Sequence, residues 1–227
     1  MRKLVVLAVL AGVLVVADIG ARSWAELELA EQSAAYYPPS GASSADIESF
    51  PFLGRLLAVG DVRRVSLRME NLRAGILTVR RLEFDLRDVE VDRSELFAGR
   101  VRLLDVGAGR IEALVDGASL AQATGLDLRF ADGEVEMHRN LRGVDVSARG
   151  RVSLEGNRLR IVPTSVKGLR LPASAFSVTY DIPGVELLPC EAEVRSVPQG
   201  LLVTCAVHDV PPALVQGAAA APRQGRS

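Results

Sequence analysis

The chain has 227 residues, of which 48% are hydrophobic but only 4% aromatic, and its formal net charge is −1. The near-neutral charge argues against a general nucleic-acid-binding protein, so we expect no nucleic-acid partner. The length is enough for one sizeable domain and short for two, and the interior of that domain has to be built from aliphatic side chains.

The N-terminus has the pattern of an export signal. A basic start is followed by an apolar run, Leu4–Ala17, that ends at Asp18. As a helix this run is about 21 Å long, against a hydrocarbon core of about 30 Å. We therefore assign residues 1–21 to a signal peptide or signal anchor and expect the protein in a periplasm-like space or on the outer face of the plasma membrane. Cleavage of the leader and its retention as an anchor over residues 4–19 both stay open.

A helix is predicted next, over residues 19–37. Trp24, Leu27 and Ala30 follow helical spacing, and two prolines, Pro38 and Pro39, end the pattern. We expect this helix to pack on the protein's own sheet. The alternative is that it lies on a bilayer.

The stretch from residue 47 to residue 92 predicts two long strands of one sheet. It opens with Ser-Phe-Pro-Phe-Leu at residues 49–53, and then apolar and polar residues alternate with a period of two. After Leu86 the alternation changes phase, which predicts a β-bulge near Arg87 and Asp88 that bends the sheet. The apolar positions are Val65, Leu67, Met69, Leu82, Phe84 and Leu86.

Further strands and turns follow. A helical turn is predicted from Asp92 or Ser94 through residue 97, a strand over 101–115, and a helix over 116–124 that stops at Gly125. Two hairpins are predicted, one at the Asp-Gly pair 132–133 and one at the Gly-Asn pair 156–157. In the first Arg129 faces Glu136, and in the second Glu155 faces Arg158.

The remainder predicts a loop or short helix over 171–176, a strand over 178–182 and a tail, residues 211–227, whose composition is typical of disorder. The β-rich domain then covers residues 22–210.

The only two cysteines, Cys190 and Cys205, lie on two predicted strands separated by a turn at 198–200. Export favours a disulfide between them, with the two cysteines directly opposite each other, Ala192 opposite Val203 and Val194 opposite Leu201. The alternative is a pair of buried free thiols.

Motifs for catalysis are missing from the sequence. It contains no nucleophile elbow, zinc-protease helix or phosphate-binding loop, and its two histidines, His138 and His208, are far apart. An acidic cluster at residues 85–92 is interpreted as a solvated strand face rather than a calcium site. We expect no catalytic residue, no metal and no cofactor, hence no enzyme.

The leader, the helix, the Ser-Phe-Pro-Phe-Leu segment, the two strands and Leu96-Phe97-Ala98-Gly99 resemble the actinobacterial LmeA-type phospholipid-binding family, and the likeness extends through the cysteine hairpin. The resemblance implies an envelope protein that binds phospholipid and assists lipoglycan (mannan) maturation. It also implies an α+β, mostly β fold of the tubular lipid-binding type, in which a long bent antiparallel sheet curls around a helix.

A bent, aliphatic-lined sheet with few helices to cover it can leave a groove for acyl chains. The residues predicted to line this groove are Phe50, Phe52, Leu82, Phe84, Leu86, Val144, Val146 and Phe176. Arg63, Arg64 and Arg68 are the candidate contacts to a headgroup or membrane surface. The alternative is a non-catalytic envelope scaffold with a self-filled core that binds a partner such as a glycosyltransferase.

Overall fold

The computed structural model describes residues 2–36, 41–94, 103–131, 133–141, 144–156, 158–167, 177–181 and 190–208. These residues form three helices and eleven strands, so the predicted α+β, mostly β class is confirmed, and one antiparallel sheet is strongly curled into a half-barrel. The helices are α1 (Arg2–Tyr36), α2 (Phe52–Ala58) and α3 (Gly117–Thr124). The strands are β1 (Ser43–Ile47), β2 (Asp61–Ala74), β3 (Leu77–Val91), β4 (Leu103–Asp116), β5 (Asp127–Ala131), β6 (Glu134–Leu141), β7 (Val144–Glu155), β8 (Arg158–Lys167), β9 (Val178–Asp181), β10 (Ala192–Val197) and β11 (Gly200–Val207).

The strands form two antiparallel sheets. The first, which we call sheet A, has six strands in the order β1-β2-β3-β4-β11-β10, and the second, sheet B, has five strands in the order β5-β6-β7-β8-β9. Helix α3 lies where the two sheets meet: Leu120 is buried among side chains of both, including Val115 of sheet A and Val135 of sheet B. This helix begins at Asp116, whose side chain accepts from Ser119 N, and ends at Gly125 with a φ of 67°, as predicted.

The phase change after Leu86 is produced by backbone conformation rather than by an inserted residue. Asp88 has a φ of 50°, and the registers of β3 against β2 and β4 continue past it without a shift. The predicted bulge at this point is therefore wrong, and the register shifts against β4 lie between Val79 and Arg81 and between Glu90 and Val91. The left-handed conformation of Asp88 exchanges the two faces of the strand after this residue. Val89 therefore packs in the same cluster as Leu86, although the two residues are three positions apart.

Both predicted hairpins of sheet B are confirmed. Arg129 pairs with Glu136 across the first turn, and Glu155 pairs with Arg158 across the second. The predicted loop over 171–176, the tail from residue 211 and most of the helical turn after Asp92 lie outside the described residues.

The disulfide between Cys190 and Cys205 is present, with the two Cα atoms 5.9 Å apart. The predicted strand register is wrong by two residues, because Cys205 pairs with Ala192 and not with Cys190. The turn is tighter than expected: Val197 pairs with Gly200 directly, which moves every partner by two positions and keeps the same faces. The disulfide joins the strands diagonally, just before β10 begins.

Helix α1 is continuous across the boundary predicted after residue 21 and packs on β1 and α2. Its packed face carries Ala21 and Ala25, whose small side chains allow close approach to the cluster below. Trp24 and Leu27 are about two-thirds exposed, at 66% and 65%. The helix therefore packs on the protein's own sheet, as expected, but through Ala21 and Ala25 and not through the stripe that contains Trp24 and Leu27. Within the described residues, no helix combines the length and the apolar character needed to cross a membrane.

Asp18 of α1 makes hydrogen bonds to α2. This residue is 7% exposed, and its carboxylate accepts hydrogen bonds from Phe52 N at 2.9 Å and from Leu53 N at 2.6 Å. These N–H groups belong to the first turn of α2, and the residue before that turn is Pro51, whose side chain provides no cap. Asp18 therefore caps α2 from another helix and satisfies two donors that the helix cannot satisfy itself.

We expect Asp18→Ala to lower the free energy of unfolding by about 2 kcal/mol, because it leaves two N–H groups without their acceptor. Asp18→Asn keeps the size of the side chain and one carbonyl acceptor, so it should cost clearly less. Urea denaturation of the two variants measures this difference. Equal losses for both variants would show that the carboxylate does not act as the cap.

Gly200→Ala should lower the stability of the protein more than most single substitutions in β11. Gly200 has a φ of 147°, and a Cβ there would lie 2.1 Å from the carbonyl oxygen of Val115, which is backbone of the neighbouring strand. The matched control is Gly156→Ala, where φ is 62° but nothing lies within 4 Å of the added Cβ. Thermal unfolding should show a loss of about 1 kcal/mol for the control and of at least about 2–3 kcal/mol for Gly200→Ala. Similar losses would mean that the strands separate easily at this point.

Candidate functional site

One face of sheet A is apolar across its strands. Val65 of β2 pairs with Leu86 of β3, and Leu67 pairs with Phe84. Phe84 pairs in turn with Ile111 of β4, and Ile111 pairs with Cys205 of β11. Because side chains alternate between the two faces of a strand, these directly opposed residues share one face.

The two ends of this face are covered. At one end α1 and α2 pack over a buried cluster that includes Ile47, Phe52, Val89 and Val106. At the other end α3 and sheet B cover Leu77, Val115 and Leu201. Phe84 and Leu82 lie between, against the small buried cluster of Ile111, Cys205 and Val207.

Between the covered ends, five adjoining apolar side chains are only half-buried: Val65, Leu67, Leu82, Phe84 and Leu86. We call these five residues the central strip. From Leu82 to Leu86 the strip runs about 14 Å along β3, at about 3.4 Å per residue. Large apolar side chains in mid-sheet are normally buried, so a contiguous strip of half-buried ones indicates a surface that an apolar ligand can complete.

The opposite face of the same strands is polar and held by ion pairs. Arg64 donates to both oxygens of Asp85, Nε to Oδ1 at 2.8 Å and Nη2 to Oδ2 at 2.9 Å, and it also reaches Glu48 at 3.2 Å. The hydrogen bond from Arg64 lowers the pKa of the Asp85 carboxyl against the opposing effect of burial, and Asp85 raises the pKa of Arg64. Arg68 lies on this face too, near Glu70 and Glu83.

The structure brings three of the eight predicted groove residues together. Leu82, Phe84 and Leu86 are consecutive members of the central strip. Phe52 is 5% exposed and packs in the cluster below α2, whereas Phe50 is 65% exposed beside that helix.

The remaining predicted groove residues lie elsewhere. Val146 is 1% exposed in the cluster between the sheets, away from the strip. Val144 begins β7, but its side chain lies outside the description, as does the whole of Phe176.

The three predicted headgroup residues do not form a group at the strip. Arg64 and Arg68 are engaged in ion pairs on the polar face, and Arg63 is exposed near the start of β2. Their role as headgroup contacts stays a prediction.

Val65 and Leu67 belong to the strip but are not among the predicted groove residues. The signal was available, because their alternation on β2 is in the same phase as that of Leu82, Phe84 and Leu86 on β3.

The described residues contain two depressions of note. An open one of about 540 Å³ lies at the C-terminal end of α2, where Leu57, Val59 and Leu104 line it together with polar residues of β3 and the loop after it. A small one of about 60 Å³ lies on sheet B beside Glu136 and His138. In the described part of the chain, no group of three or more His, Cys, Asp or Glu side chains is arranged to hold a metal ion.

Comparison with known families matches residues 16–205 to the model described as LmeA-like phospholipid-binding. The chain belongs to the LmeA-like phospholipid-binding family. The match spans most of the chain and includes Asp18, α2, the central strip and the disulfide, so the resemblance seen in the sequence is confirmed. No curated protein and no solved structure matches the chain.

The Arg64–Asp85 pair predicts a pH dependence of stability. The pKa of Asp85 is lowered on folding, so its stabilising effect is complete above the pKa of an unfolded Asp, about 4, and is lost as the pH falls through the lower folded value. The difference in unfolding free energy between wild type and Asp85→Asn should be constant near neutral pH and shrink below about pH 4.

Arg64→Gln provides the control for this effect. In that background Asp85→Asn should show a much smaller acid-dependent difference, because the partner that lowers the pKa most is gone, and only the more weakly acting Arg87 and Arg110 remain. An unchanged pH dependence would contradict the assignment to this pair.

Proposed function

We propose that the protein is an exported, non-catalytic cell-envelope protein that binds phospholipid with an acyl chain along the central strip. Membership of a phospholipid-binding family supports the ligand class. The single structural observation that supports the location is the run of five half-buried apolar side chains between two covered ends of sheet A.

The energetics agree with this location. Covering ten methylenes of an acyl chain is worth about 8 kcal/mol, at about 0.8 kcal/mol each. An open strip shields only one side of the chain, so about half of that value applies, and it would still give useful affinity for a lipid taken from water. The ligand would in turn cover the part of Leu67 and Phe84 that is still exposed.

The wider role that we propose is support of lipoglycan (mannan) maturation at the outer face of the plasma membrane, with envelope glycosyltransferases as candidate partners. This part rests on the family resemblance alone. The residues of the described structure add no catalytic constellation that would favour an enzyme.

A non-catalytic scaffold is the second candidate, and one observation favours it. The space between sheets A and B is filled by the protein's own side chains: Val135, Ile161 and Leu201 are all fully buried there. Close packing of the described side chains between the sheets is what a scaffold with a self-filled core requires, so the strip on sheet A is the feature that distinguishes the two candidates.

Phe84→Gln tests the proposed site. The variant replaces an apolar side chain of the strip by a polar one of moderate size, and we expect it to bind phospholipid about tenfold more weakly, which corresponds to losing the contact of about two methylenes. Native mass spectrometry of protein purified from a lipid-containing extract measures the bound fraction.

The matched control is Glu83→Gln, which introduces the same residue at the next position, on the polar face. It should retain the wild-type fraction of bound phospholipid. If both variants and the wild type are free of lipid, or if Phe84→Gln binds normally while folded, the scaffold is the better account.

A further inference from the structure

The turn of α1 at residues 13–16 projects from the folded body. Val13, Leu14, Val15 and Val16 make up one complete helical turn, and their side chains are between 44% and 71% exposed. Since four consecutive residues point in all directions around a helix, no side of this turn packs on the protein. The residues before it, Leu4–Leu10, are also apolar in sequence.

A helix that is apolar all round is stable only in apolar surroundings, either a protein core or lipid. The body does not provide such surroundings for this turn. The hydrocarbon of a bilayer does, at a gain of about 0.8 kcal/mol for each methylene transferred out of water.

Asp18 fixes the place where this helix leaves the body. Its two hydrogen bonds join α1 to the first turn of α2, and Ala21 and Ala25 continue the contact on the following turns. The end of the body at which α1 leaves is therefore the end that α2 covers.

That end exposes large apolar side chains of its own. Ile19 follows Asp18 and is 57% exposed, and Phe50 precedes α2 and is 65% exposed. Leu57, Val59 and Leu104 are 45%, 68% and 48% exposed and line the same open depression. We call these five residues the apolar tip.

We propose that the apolar tip docks on the surface of a lipid bilayer, with the projecting part of α1 embedded in the hydrocarbon and the Asp18 cap setting the orientation of the body. This inference rests on the proposed function, because docking brings the lipid-binding strip to the membrane that supplies the lipid. Val65 and Leu86 of the central strip pack against the cluster beneath α2, so docking by this end would bring one end of the strip to the bilayer.

The charges near the tip indicate how the contact is made. Arg55 is paired with Asp61, Arg93 donates to the carbonyl oxygens of Leu57 and Ala58, and the depression also contains Glu90. Because cations and anions are mixed here, apolar insertion rather than attraction to anionic headgroups dominates. Binding should therefore depend only weakly on salt.

Tryptophan fluorescence of the full chain tests the docking. Trp24 is the only tryptophan, so Trp24→Phe provides a silent background into which Phe50→Trp places a reporter at the tip. The matched control places the reporter at Ile76, which is also exposed, at 57%, but lies at the opposite end of β2 and β3. Both proteins are mixed with vesicles of phosphatidylcholine brominated on its acyl chains, containing a minority of phosphatidylglycerol, at low and high salt.

We expect the reporter at residue 50 to be quenched severalfold more strongly than the reporter at residue 76, at both salt concentrations. Equal quenching at the two positions would overturn the docking orientation. A blue-shifted but unquenched reporter at residue 50, in protein that runs as a dimer, would overturn the proposal in favour of a second copy of the chain on the tip.

Failure of docking and failure of lipid binding are distinguishable in this design. Phe84→Gln, added to the Phe50→Trp protein, should reduce bound phospholipid and leave the quenching unchanged. Loss of quenching in a protein that still carries phospholipid would reject the docking alone.

Discussion

The structure depends on one constraint: sheet A has an apolar face that is longer than the helices and strands of the described residues that cover it. Helices α1 and α2 cover one end, and α3 with sheet B covers the other. The five residues of the central strip lie between these covers and remain half-buried. The candidate site thus arises from incomplete coverage of a sheet rather than from a cavity built for the purpose, which is compatible with a ligand that is recognised mainly by its apolar surface.

The Asp18 cap links this site to the N-terminal helix. The buried carboxylate of Asp18 accepts hydrogen bonds from the first turn of α2 and so makes this part of α1 belong to the folded body. It fixes the direction in which the apolar helix leaves, at the end where the strip meets the α2 cluster. Lipid binding and membrane docking are therefore proposed on neighbouring parts of one surface, and the polar face with Arg64 and Asp85 holds β2 and β3 together behind it.

Local patterns predicted the hairpins at Gly133 and Gly156 well, because each prediction rested on agreement between a turn signal and cross-strand pairs. The helix that ends at Gly125 was predicted from its stop signal. Alternation alone could not distinguish an inserted residue from a left-handed one, so the nature of the irregularity at Asp88 was missed. Alternation also could not fix the register of the cysteine hairpin, because a shift of two residues keeps every side chain on its face.

The site was predicted less completely, since its definition requires knowledge of which apolar residues are covered. In the sequence, Phe52 and Val146 are apolar candidates of the same kind as Phe84, but tertiary packing buries them in other clusters. Trp24 and Leu27 follow helical spacing, yet the helix turns its small residues Ala21 and Ala25 toward the sheet. Periodicity identifies an apolar face, whereas only the packed structure shows whether that face is occupied.

The central claim is that a phospholipid acyl chain lies on the central strip. Photo-cross-linking with a phospholipid that carries a diazirine near the end of one acyl chain, followed by peptide mapping, tests it most directly. The account predicts adducts on β2 between Val65 and Met69 and on β3 between Leu82 and Leu86. Adducts confined to β7 and β8 of sheet B, with none on β2 or β3, would contradict it.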